Sequence, residues 1–184
     1  MGDRPDPALD PRLRREVAAL AGRWAVATAA QGLAFASDRI DGALVDGATP
    51  FAEPRRDDLP AALASALAGH SGPVLLVSAD VPRLDAELAA AAVADVTSGA
   101  ALSFAPATDS RPFLLALASP APELLAFAAA RERDRGTLGA AAMDLGGDVG
   151  LLRSERRLVT PADARALAID PLVPPELRAL AGSS

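Results

Sequence analysis

The stretch Val74–Leu84, VLLVSADVPRL, decides the fold. Its first four residues are apolar, without the polar alternation of a half-exposed strand, and predict a strand buried on both faces, as in a parallel sheet. After Ser78 and Ala79 the run delivers one carboxylate, Asp80, and Pro82 then fixes the chain as it leaves the sheet. Asp85 is placed to cap a following helix whose Leu84, Leu88, Val93 and Val96 would face the sheet. A carboxylate at the end of a central strand has two readings. It caps a turn, or it coordinates a divalent cation that bridges nucleotide phosphates, as Mg²⁺ does with one or two protein carboxylates and several waters. As a ligand it should be at least partly exposed, because burying it unpaired costs several kcal/mol. Its removal should then weaken Mg²⁺-dependent binding and leave the melting temperature nearly unchanged.

Outward from this stretch, residues 1–11 are rich in Pro and Asp and read as an irregular lead-in. Leu13, Val17 and Leu20 in 12–23 predict an amphipathic helix ended by Gly22, and WAVATAA (24–30) a short strand. The apolar runs at 32–37 and 42–47 fit strands or strand and loop. DDLPAALASALAGHSG (57–72) predicts a helix capped by Asp57 or Asp58, with Leu59, Leu63 and Leu67 on one face and Gly69 past its end. Beyond Asp85 the pattern gives strands at 100–106 and 112–118 and a helix at 119–133. A short helix at 137–147, a strand at 148–153 and helices from Thr160 and Pro174 complete it. Thr160, Pro161 and Asp163 form an acidic variant of the capping box. Alternating strands and helices imply an α/β sheet covered on both faces, and 184 residues fit a single domain spanning 1–184.

Composition narrows the chemistry. There is no Cys, which excludes disulfides, thiolate metal sites and cysteine nucleophiles. A net charge of −6 argues against a nucleic-acid partner, which would ordinarily meet a basic face. All 18 basic residues are Arg, and the chain contains no Lys and no Asn. No apolar run reaches the roughly 20 residues of a membrane span, and the Pro- and Asp-rich start is unlike a secretory signal. A cytoplasmic protein with no membrane partner is expected. His70, just past a helix end, and Trp24, the single Trp, read as structural, and RERDRG (131–136) and RSERR (153–157) as solvated faces.

Three blocks in order, SADVPRLDAEL (78–88), SFAPATDSRPFLLAL (103–117) and RRLVTPADARAL (156–167), resemble the GT-A-type nucleotidyltransferases related to molybdenum-cofactor guanylyltransferase and phospholactate guanylyltransferase. The likeness is strongest to their bacterial glycosyltransferase-like relatives and covers about residues 57–167. The resemblance implies a three-layer α/β/α fold with a mainly parallel sheet, here lacking its first strand. It implies that Asp80 of the Asp-x-Pro motif binds Mg²⁺ on the phosphates of a nucleotide or nucleotide sugar, with Asp80 and Asp109 as the catalytic carboxylates. Arg4 would contact the nucleotide, and Ser110 and Arg111 the acceptor.

The chain also departs from that pattern. Ser110 and Arg111 replace two glycines after Asp109, and Pro112 and Phe113 an aromatic pair. Ahead of Thr160 and Pro161, where relatives carry Asp or Asn, stand Arg157, Leu158 and Val159. The second metal ligand is therefore missing, and no Gly-rich loop with a Lys opens the chain. Three functions are weighed: an active or formerly active nucleotidyl- or glycosyltransferase, a non-catalytic homologue acting in binding or assembly, and an unrelated α/β hydrolase or phosphatase, for which the sequence shows neither a nucleophile elbow nor a His partnered with Ser. An absent first strand would leave a sheet edge that a second copy or a protein partner covers.

Overall fold

A computed structural model of the chain describes residues 6, 8–28, 59–109, 111–129 and 147–183. These fall into two compact units, one within Ala52–Val77 and Ala86–Ser154, the other within Gly2–Phe51, Ser78–Asp85 and Glu155–Ser184.

The first unit is built on a four-stranded sheet of β1 (Val74–Val77), β2 (Leu102–Pro106), β3 (Pro112–Leu117) and β4 (Val149–Leu151) in the order β1-β3-β2-β4. β3 runs antiparallel to both β1 and β2, and only β2 and β4 are parallel. The sheet is therefore mixed, not mainly parallel as expected. The reason lies in the connection between β2 and β3, residues 107–111. A parallel pair needs a crossover of a dozen or more residues, whereas five residues can close only a hairpin. Ala107 N–H donates to Arg111 O at 2.6 Å to close it. The strands buried along their length are the central β2 and β3, whereas β1 is an edge strand among the described residues with only Val74 fully covered. At the hairpin end the register slips by one residue between Ala105 and Pro106, which leaves Phe113 as the extra residue of a bulge on β3. Its ring is fully buried.

Helices α2 (Leu59–Ala66), α3 (Ala86–Thr97) and α4 (Pro122–Ala129) belong to the same unit. α3 packs on β2, β3 and β4. Its buried residues are Leu88, Ala89, Ala92 and Val96, so the covered stripe is shifted from the one expected and Val93 lies at its margin. Gly69 (φ 84°) and Gly99 (φ 112°) follow α2 and α3 in the left-handed region that reverses the chain at low cost only for glycine. Where α3 meets the sheet, Ser103 Oγ donates to Asp95 Oδ2 at 2.6 Å. A side chain at Gly150 would overlap both groups, so glycine there admits a carboxylate against the β4 backbone.

The second unit packs α1 (Pro11–Thr28), α5 (Pro161–Ile169) and α6 (Pro175–Gly182) around Leu9, Leu13, Val17, Leu158, Leu167, Val173 and Leu177. Asp10 caps α1 by accepting from Arg12 N–H at 2.8 Å, ahead of Pro11. Contrary to expectation α1 runs through Gly22 to Thr28, so the first part of WAVATAA is helical. An interior Gly costs only about 1 kcal/mol, and continuing the helix brings Trp24 onto the buried face of Leu13, Val17 and Ala21. The lead-in is anchored as well: Asp6 N–H donates to Val159 O at 2.9 Å, and Leu9 is in the core. The sequence runs at 32–37 and 42–47 lie outside the described residues, as does all but the last residue of 137–147.

Candidate functional site

Asp80 lies in a turn three residues beyond β1, in the loop Ser78–Asp85 that belongs to the second unit. Val81 and Pro82 bury their side chains and so pin the loop from within. Its backbone is tied to the segment ahead of α5 by Leu158 N–H, which donates to Asp80 O at 2.7 Å. Its far end is tied to α1 by Trp24 Nε1, which donates to Asp85 O at 2.8 Å.

Charge completes the attachment. Arg157 Nε donates to Asp80 Oδ1 at 3.1 Å and Oδ2 at 3.0 Å, and Nη2 donates to Oδ2 at 2.7 Å. The Asp80 side chain is 24% exposed, as expected of a carboxylate in this position, but the Arg157 side chain is only 4% exposed. A second pair runs in the opposite sense: Arg83 Nη1 lies 3.2 Å from Glu155 Oε2, and Glu155 is buried. Arg83 also lies 3.8 Å from Asp170. Asp80 and Arg83 on the loop thus face Arg157 and Glu155 on the extended segment. RSERR is accordingly solvated only at Arg153, Ser154 and Arg156. Glu155 and Arg157, two residues apart, point inward, while Arg156 between them is exposed. The sequence signal for this was that opposite charges alternate on both segments.

Asp163 holds the segment that presents Arg157. Its Oδ2 accepts from Thr160 N–H at 2.9 Å, Thr160 Oγ1 at 2.8 Å and Val159 N–H at 3.2 Å, and its Oδ1 accepts from Arg156 Nη1 at 3.1 Å. With Asp163 N–H donating back to Thr160 Oγ1, this is the capping box read from the sequence. Partial burial pushes the Asp163 carboxyl up, but the hydrogen bonds from Thr160, Arg156 and Val159 outweigh it and hold the group below its ordinary 3.8. A carboxyl depressed on folding stabilises the fold above its unfolded value, and that share is lost as pH falls through the lower folded value. Asp163→Ala should therefore cost about 1 kcal/mol at neutral pH. Thermal melts of both proteins should show the gap constant above about pH 4 and closing below it.

The other residues expected at a site belong to other stretches of the chain. Asp109 is in the first unit, exposed in the β2–β3 turn, where its Oδ1 accepts from Arg111 N–H at 3.1 Å. That contact is a turn-closing one. Arg111 is exposed, and Arg4 and Ser110 lie outside the described residues. His70 Nε2 pairs with Pro73 O at 3.1 Å, a local structural contact.

The residues present do not fit a divalent cation at Asp80. Both carboxylate oxygens are taken by the Arg157 guanidinium. Among the described residues, no helix is long and apolar enough to cross a membrane.

No protein-family profile matches the chain, and no curated protein matches it. A solved structure does. The crystal structure of a "putative nucleotide-diphospho-sugar transferase" from Desulfovibrio desulfuricans G20 superposes with a TM-score of 0.69, covering 94% of this chain and 81% of that one at 16% identity. The chain shares the fold of that structure. At that identity the likeness carries the fold and no activity.

Proposed function

We propose that this protein is a nucleotide-diphospho-sugar transferase-like protein that binds a nucleotide or nucleotide sugar weakly at the Ser78–Asp85 loop, with group transfer impaired or lost. The observation that carries the reading is Asp80, part-exposed and followed by a buried Pro82 just past a strand end, in a fold of this type. Weak binding follows from the group that is missing. Ahead of Thr160, where the relatives that the sequence resembles carry a second metal ligand, stand Arg157, Leu158 and Val159. Charge-assisted hydrogen bonds contribute roughly 1.5–3 kcal/mol each. Losing one weakens micromolar affinity by about one to two powers of ten.

A second reading, a non-catalytic homologue that acts through binding or assembly, is favoured by the engagement of Asp80 by Arg157. Isothermal titration with GTP, CTP and UTP, run beside sedimentation, separates the two. Weak saturable binding supports a nucleotide-handling protein. No heat, together with a stable dimer or a partner on the sheet edge, supports the assembly role. Micromolar Mg²⁺-dependent binding by a clean monomer would overturn both and make the chain a metal-dependent enzyme.

A further inference from the structure

We infer that the Arg157 guanidinium is a resident cation for Asp80, and that the Ser78–Asp85 loop takes its ligand without a divalent metal. The carboxylate meets a planar fork, with Nε and Nη2 making three contacts of 3.1 Å or less. This is the bidentate geometry that Arg satisfies and Lys does not. Arg157 cannot be neutralised, because a guanidinium does not lose its proton in a protein. A metal arriving at Asp80 would therefore have to displace from that carboxylate a guanidinium that is 96% covered.

Three further features keep the fork in place. The Leu158 N–H to Asp80 O bond fixes the two backbones beside it. Arg83 and Glu155 form the reverse pair next door, with Asp170 also 3.8 Å from Arg83. The capping box at Thr160 and Asp163 begins three residues after Arg157 and sets the approach of its segment. Mg²⁺ asks for near-octahedral oxygen ligands and one or two carboxylates, and the carboxylate offered here is already paired with a guanidinium. Arg157 is a positioning residue in this scheme: it sets the charge and orientation of Asp80.

The ligand half of the inference rests on the nucleotide reading above, and the metal half does not. The test is a Mn²⁺ titration of the full chain, without nucleotide, followed by electron paramagnetic resonance of the free ion. The wild type is compared with Asp80→Asn and with the doubly neutral Asp80→Asn, Arg157→Gln, which leaves no buried charge unpaired should the single variant fail to fold. The expected result is equal Mn²⁺ uptake by the wild type and the variants. A saturable wild-type site lost in either variant would overturn the inference. Where a nucleotide does bind, its affinity should be the same, within about twofold, in Mg²⁺ and in EDTA. A tenfold loss in EDTA would likewise overturn it. Absence of nucleotide binding would sink the functional reading and leave the Mn²⁺ result to decide the inference on its own.

Discussion

Asp80→Ala should lower stability by about 3–5 kcal/mol, a fall of roughly 10 °C in melting temperature for a chain of this size. The cause is the partner left behind. Arg157 is almost wholly covered, cannot shed its charge, and has Asp80 as its carboxylate. Arg157→Ala should cost less, because the stranded Asp80 keeps 24% of its side chain in water and can be hydrated in place. The ordering of the two single variants is thus the informative quantity. It is read from urea or thermal unfolding of Asp80→Ala, Arg157→Ala and the double variant. The double variant should recover much of the loss, with a coupling of about 1–3 kcal/mol. If Asp80→Ala melted with the wild type, Asp80 would be behaving as a free ligand on a rigid turn, and the structural part of its role would be refuted.

Phe113→Ala should be comparably damaging, at about 3–5 kcal/mol. Phe113 is fully buried and is the bulged residue of β3, at the end of the hairpin where the register shifts. Its ring fills space that strand pairing does not, so truncation leaves a cavity between residues that the flanking ladder prevents from closing in. Phe113→Leu should retain most of the stability. Urea unfolding distinguishes the mechanisms, since a lower midpoint with unchanged slope marks lost packing and a changed slope marks a hairpin that no longer orders. In the relatives that the sequence resembles, the corresponding positions carry an aromatic pair. Here the position serves the core.

Local rules carried the reading of the sequence a long way. The capping box at Thr160–Asp163 was legible because its partners are three residues apart and any chain that starts a helix there meets the same orphan N–H groups. Gly69 past α2 and the strand at 149–151 were legible for similar reasons of turn chemistry and periodicity. The sheet direction could have been read from the five-residue connection at 107–111, a stronger signal than the run at 74–77 that suggested a parallel strand. A continuous apolar run reports a wish to be buried, and the order of strands decides whether that wish is met. β3 and β2 took the centre of the described sheet and left β1 at its edge.

The candidate site divides along the same line. That Asp80 follows a strand and turns out of it with Pro82 is a property of eleven consecutive residues. What Asp80 then does depends on Arg157, 77 residues away, and no local rule selects that partner. By itself the sequence determined that the chain has no thiol chemistry, that its basic side chains are all Arg, and where most of the helices and strands among the described residues begin, because composition and short-range contacts are fixed once the order of residues is known. Only the tertiary structure decided that a carboxylate suited to a metal is held by a guanidinium, because the pairing of two charges across a loop and an extended segment is set by how the chain packs, and burial turns that pairing from optional into obligatory.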